Sequence, residues 1–272
     1  MLKLVILIIY FAVLIGIGLY CRKHATDVNG FVLGGRSVGP WLTAFAYGTS
    51  YFSAVVFVGY AGQFGWKYGI AATWAGIGNA IIGSLLAWVV LGRRTRIMSQ
   101  HLDSATMPQF FGKRFGSNPL KIGASVIIFI FLIPYTASLY NGLSRLFGMA
   151  FNIDYSVCII IMATLTAIYV IAGGYMATAI NDFIQGIIML FGIVAVIAAV
   201  IHSKGGFMSA LQGLANVSDP VVSKTPGIFA SFFGPDPFNL LCVVILTSLG
   251  TWGLPQMVQK FYAIDNETSI QK

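Results

Sequence analysis

The chain has 272 residues, 57% of them hydrophobic and 9% charged, with a mean hydropathy of +0.84. A soluble domain averages about 25% charged residues, so a water-facing surface is excluded, and the apolar runs outlast the ~10-residue strands of a membrane barrel. What remains is an all-α polytopic membrane protein, whose formal charge of +8 belongs to its loops; no basic cluster is interleaved with aromatics, and no nucleic-acid partner is expected.

Seven apolar segments follow one another, each near the ~20 residues needed to cross ~30 Å of hydrocarbon. The first, Leu4–Tyr20, has only Lys3 ahead of it and lacks an A-x-A cleavage site, so it is read as a retained span. The second, Trp41–Phe64, contains AYGTSYFSAVVFVGYAG (Ala46–Gly62), which crowds Gly48, Thr49, Ser50, Tyr51 and Ser53 into its middle. Lipid cannot satisfy polar groups or broken backbone, so such a stretch must be buried in protein or line a wet cavity. Gly48 weakens a helix, and Thr49 and Ser50 can bond backbone instead of each other, so a local unwinding is expected. Unwound backbone offers carbonyl oxygens and half-helix ends to a small cation beside a small anion or zwitterion. The competing reading is a close-packed helix crossing through small residues.

The third segment, Ile70–Leu91, ends at RRTR (Arg93–Arg96). The loop from Arg93 to Lys121 contains DSATMPQFFGKRFG, in which Asp103 or Ser104 is expected to cap a short interfacial helix ahead of Met107–Phe111. The fourth, Ile122–Phe147, holds Tyr135 behind Pro134. The fifth, Tyr155–Ile171, runs into a tight Gly173–Gly174 turn, and the sixth, Ala179–His202, carries Asp182. A carboxylate near the interior of a span is costly and marks a functional site, or else it is an interfacial acid at a helix N-terminus. Gln185 shares its face. After a loop rich in turn signals (Lys204–Pro237) comes the seventh segment, Phe238–Tyr262, whose LTSLGTWGLPQMVQKFYA crowds Thr247, Ser248, Gly250, Thr251, Gly253 and Pro255. Pro255 removes a ladder bond and clashes with the preceding turn, so this helix is also expected to break. Two interrupted spans point to the binding site of a transporter.

Placing the N-terminus outside puts Arg22, Lys23, Arg36, Arg93, Arg94, Arg96, Lys113, Arg114, Lys121, Lys260 and Lys272 inside. It leaves Lys3, Lys67, Arg145, Lys204 and Lys224 outside. The positive-inside bias therefore predicts this orientation, with the end of the chain inside. Cys21, Cys158 and Cys242 have the spacing of neither a metal site nor a disulfide framework, and His24, His101 and His202 form no HExxH pattern. With no Ser–Lys pair, twin aspartate or buried histidine in the spans, no enzyme and no organic cofactor are expected.

The stretches LGGRSVGPWLTAFAYGTSYFSA (Leu33–Ala54), YVIAGGYMATAINDFIQG (Tyr169–Gly186) and GLPQMVQKFYA (Gly253–Ala263) resemble the sodium/solute symporter family of proline, pantothenate, monocarboxylate and sugar carriers. The GGRS–GP segment together with the GG-x7-D-x2-Q turn carries the likeness. The resemblance implies a LeuT-type fold of two inverted five-helix repeats behind one extra helix. This chain, as a single transmembrane domain over 1–272 with about seven spans, would hold the extra helix, the first repeat and the first helix of the second. It implies sodium as coupling ion, bound by backbone carbonyls at Thr49 and Phe52, with Asp182 on the sodium route to the cytoplasm. It places the solute near Tyr51, Ser53, Val56, Tyr135, Thr247, Ser248 and Thr251.

The partners so implied are the solute, sodium and the bilayer of the plasma (inner) membrane. Proline carriers have an acid at Tyr51 and aromatics at Thr247 and Thr251, and sugar carriers have polar residues at Val55 and Val56. The T-x-Y-x-S-A pattern and the GLP after GT-W look more like pantothenate carriers, so a weak acid or amino acid is expected rather than a sugar. The alternative is a symporter-like membrane sensor or scaffold without transport.

Overall fold

A computed structural model describes residues 2–52 and 55–271. Among them there is no strand beyond two isolated bridges, and helices dominate. The helices are α1 (Leu2–Cys21), α2 (Val28–Leu33), α3 (Pro40–Tyr51), α4 (Ala61–Tyr68), α5 (Thr73–Gly78), α6 (Arg93–His101), α7 (Met107–Phe115), α8 (Asn118–Phe151), α9 (Tyr155–Ser203), α10 (Phe207–Ala215), α11 (Pro237–Gly250) and α12 (Pro255–Ala263). By length and composition, three helical stretches among the described residues can cross a membrane: Ala61–His101, Asn118–Phe151 and Tyr155–Ser203. A fourth forms if α11 and α12 count as one broken span. The α1 helix is shorter, with an apolar stretch at Val5–Cys21.

The long helices contain their own interruptions. At about 1.5 Å per residue, 49 residues of α9 reach far beyond ~30 Å of hydrocarbon. Gly174, at φ 56° and ψ −149°, breaks it at the turn the paired glycines predict. An alanine Cβ there would lie 2.7 Å from the Phe31 carbonyl oxygen, so the backbones meet where only glycine fits. Within Ala61–His101, Gly69 (φ 62°) ends α4, and π-helical turns occupy Asn79–Leu86 and Trp88–Gly92, which the sequence pattern did not foretell. The α7 helix begins at Met107 as expected, but its cap is Thr106, whose hydroxyl accepts from Gln109 N. Asp103 instead adopts φ 43°, and Ser104 is buried and donates to the Ser99 carbonyl.

The chain divides into two compact units. The first comprises Met1–Val55, Trp88–Gly186 and Gly253–Lys272. Its core gathers Leu33, Val38, Ala46, Tyr175, Ala179, Val258 and Tyr262 from α2, α3, α9 and α12. Two buried or half-buried guanidiniums tie the end of α12 to it. Arg36 donates to Ser99 Oγ (3.2 Å), Ser99 O (3.2 Å), Ser104 O (2.8 Å) and Tyr262 O (3.3 Å). Arg96 donates to Ile264 O (2.6 Å) and Asp265 O (2.9 Å). Cations suit helix C-termini because the last carbonyls there lack ladder partners. The second unit comprises Val56–Ala87 and Ile187–Trp252, with Tyr68, Ala71 and Leu240 at its core. The division falls at both interrupted spans, between Val55 and Val56 and between Trp252 and Gly253. Large apolar side chains on α8 and α9, among them Phe131, Ile133, Phe191 and Val194, are exposed, as lipid-facing surfaces require.

Candidate functional site

The first unit brings the end of α3 against the second half of α9. Regular helix stops at Tyr51, and Phe52 turns to φ −90°, ψ 63° with its N–H still donating to Gly48 O. The helical ladder therefore ends among Thr49, Ser50 and Tyr51, where the polar run lies. Thr49 spends its hydroxyl on Phe45 O (2.8 Å). Gly186 lets α9 approach: a Cβ there would lie 2.6 Å from Phe45 Cδ1 and 3.1 Å from Thr49 Cγ2. Phe45 also meets Phe183 edge-on at 4.8 Å. Asp182 sits one helical turn before Gly186, so it belongs to the same contact between helices.

Asp182 is paired. Its Oδ2 lies 3.5 Å from Lys260 Nζ, and the side chains are 22% and 6% exposed. The same ammonium lies 4.9 Å from the centre of the Tyr175 ring. Lys260 reads in the sequence as one more loop charge; the structure places it inside the core, on α12. The signal available was its position in the last turns of an apolar span, where a lone cation needs a partner. Asn181, beside Asp182 and 1% exposed, has neither amide atom bonded, and Tyr175 Oη is also buried without a partner. Sequence reasoning missed both.

A cavity of about 800 Å³ opens in the same unit. Thr49 and Ser50 of α3, Tyr135 and Thr136 of α8, Thr106 and Met107 at the start of α7, and Pro255, Gln256 and Gln259 of α12 line it. Among the described residues no charged side chain takes part; hydroxyls and carboxamides alternate with Ile128, Phe129, Leu132 and Leu139. Gln259 donates to the Val32 carbonyl, whereas both amide atoms of Gln256 are buried and unbonded. Such a lining suits a small solute that is neutral or zwitterionic and partly apolar.

Of the sequence-derived solute positions, Tyr135 lines this cavity, and Tyr51, next in sequence to the lining residue Ser50, is buried with its ring tilted against those of Tyr47 and Phe52. Ser53 lies outside the described residues. Val56, Thr247, Ser248 and Thr251 belong to the second unit. There Ser248 is fully buried and donates to Asn79 Oδ1 (3.1 Å). Thr247 and Thr251 donate to carbonyls of their own helix, Val243 O (2.9 Å) and Ser248 O (3.0 Å). The Trp252 indole donates to Ile82 O at 3.0 Å, anchoring the turn that precedes α12 to the π-helical segment.

The model of the sodium:solute symporter family matches residues 31–272. The chain is 32% identical over 260 residues to the osmoregulated proline transporter OpuE of Bacillus subtilis, covering 94% of this chain and 51% of that protein. It is 32% identical over 278 residues to a sodium/proline symporter of Staphylococcus aureus, covering 98% and 51%. The chain spans about half the length of these relatives.

Proposed function

The chain belongs to the sodium:solute symporter family, and on that premise we propose that it serves sodium-coupled symport of a small organic solute across the plasma membrane. The T-x-Y-x-S-A pattern led towards pantothenate; the two relatives, named for proline, shift the choice to proline. One observation carries the reading. The packing of Gly186 on Phe45 and Thr49 sets the Asp182 turn against the end of α3, and that end lines a neutral, hydroxyl-rich cavity.

The roles follow from chemistry. Carbonyls at Thr49 and Phe52 bind sodium where α3 stops, and Asp182 supplies the carboxylate on its inward route. Tyr135, with Tyr51 and Ser53 from the interrupted span, contacts the solute, whereas a role for Val56, Thr247, Ser248 and Thr251 rests on the resemblance alone. A zwitterion such as proline needs no charged side chain: its carboxylate gains from the neighbouring ion, its ring from Phe129 and Leu132. The LeuT-type repeat, the seven spans and an outside N-terminus remain part of this proposal. The basic residues of α6 and α7 support the orientation.

Symport requires that ion and solute together favour the access change more than either alone, a coupling that is reciprocal. Proline affinity of the full-length protein is therefore expected to tighten when choline is replaced by sodium, and sodium affinity to tighten by the same factor with proline. Identical proline affinity in the two salts would contradict the reading.

A further inference from the structure

We infer that Lys260 is a tethered cation that holds the Asp182 carboxylate when sodium is absent, and that sodium must displace it. The inference rests on the reading of Asp182 as a sodium ligand. It starts from a pair that is poorly made. Charge-assisted bonds between ammonium and carboxylate close to roughly 2.7–2.9 Å; this one stands at 3.5 Å, within a buried setting. Besides Asp182, the ammonium has the Tyr175 ring face at 4.9 Å. A buried ion pair short of hydrogen bonds recovers little of its desolvation cost and is weak support for a fold. It is better suited to being exchanged.

Charge counting gives the exchange its direction. Asp182 with Lys260 is neutral. Adding sodium to the same carboxylate leaves a net positive charge beside the Tyr175 ring, in a largely buried place. In so weakly screened a place two cations on one carboxylate repel strongly. Sodium at Asp182 and ammonium at Asp182 are thus alternatives. Asn181, the residue before Asp182 in α9, has a buried amide whose oxygen and nitrogen are both unbonded in the paired state.

The consequence lies in where Lys260 is attached. It stands on α12, the short half of the bent pair, which also gives Pro255, Gln256 and Gln259 to the cavity wall. Displacement of Lys260 removes the ion pair between α12 and α9 while their apolar contacts remain, so ion arrival is reported to the element that lines the cavity.

The test is sodium titration of the full-length protein at fixed pH and ionic strength, with choline as balancing cation, read as thermal stabilisation and as bound radioactive sodium. The variants are Lys260→Met, Lys260→Arg, Asp182→Asn and the Asp182→Asn/Lys260→Met double variant. Lys260→Met is expected to be less stable in choline, to gain more from sodium, and to bind it roughly tenfold tighter or more. That gain is expected to vanish in the double variant. Lys260→Arg, with its permanent charge and forked donors, is expected to weaken sodium binding. An unchanged or weaker sodium affinity in Lys260→Met, with the double variant weaker still, overturns the tethered cation and leaves Asp182 as a ligand. Equal affinities in Lys260→Met and the double variant remove Asp182 from the sodium site, and the inference falls with it. If Lys260→Met does not fold, Lys260→Arg decides: unchanged or tighter sodium binding overturns the proposal.

Discussion

Asp182 and Arg36 show how differently two buried charges are treated by the same fold. Asp182 has one partner, so its loss strands the Lys260 ammonium in the core. Asp182→Asn is expected to destabilise the sodium-free protein by about 3–5 kcal/mol, and Lys260→Met, added to it, to restore part of that. A double-mutant cycle of thermal unfolding in choline buffer checks this; strict additivity would mean that the two groups do not interact. Arg36, by contrast, donates to four acceptors from Ser99, Ser104 and Tyr262. A lysine there keeps the charge but not the planar fork, so Arg36→Lys is expected to cost about 2 kcal/mol. Denaturation in detergent measures it. A change within ±0.5 kcal/mol would show that the fork is dispensable.

At the scale of the element, the breaks were legible and their consequences were not. Paired glycines gave away the turn at Gly174, and Gly253 with Pro255 gave away the bend between α11 and α12, because backbone permissiveness and a missing N–H are properties of single residues. The run Gly48–Ser53 likewise announced the end of α3. The π-helical turns of Asn79–Leu86 and Trp88–Gly92 left no such mark, since they arise from packing rather than from any residue's preference. Lys260 was misjudged as a loop charge because its partner lies 78 positions away, beyond the reach of any local pattern. Gly174→Ala must place a Cβ 2.7 Å from Phe31 O at a left-handed φ, and is expected to lower stability by about 2 kcal/mol or more. Gly186→Ala pushes only on the Phe45 and Thr49 side chains, which can yield, so its expected cost is about 1–3 kcal/mol. Its larger effect is expected on sodium: by wedging α9 from α3 it separates Asp182 from the end of α3. Sodium titration of this variant checks that, and a wild-type sodium response would detach the two elements functionally.

Across the molecule, the composition that excluded a soluble protein reappears as exposed Phe, Ile and Val on α8 and α9, and the family match fixes which kind of membrane protein this is. The solute is the least legible property. Its proposed contacts come from three stretches far apart in sequence, and Thr247, Ser248 and Thr251 share a unit that Tyr135 does not. A cavity lined without charge suits neutral or zwitterionic solutes; choosing proline over pantothenate rests on the relatives. The most direct test is uptake of labelled proline and labelled pantothenate into proteoliposomes containing the full-length protein, with and without an inward sodium gradient. Accumulation of proline above its external concentration, lost when the gradient is collapsed or replaced by choline, is the predicted result. Equilibration of both solutes independent of sodium, from protein that still shows cooperative unfolding, would contradict sodium-coupled transport of either.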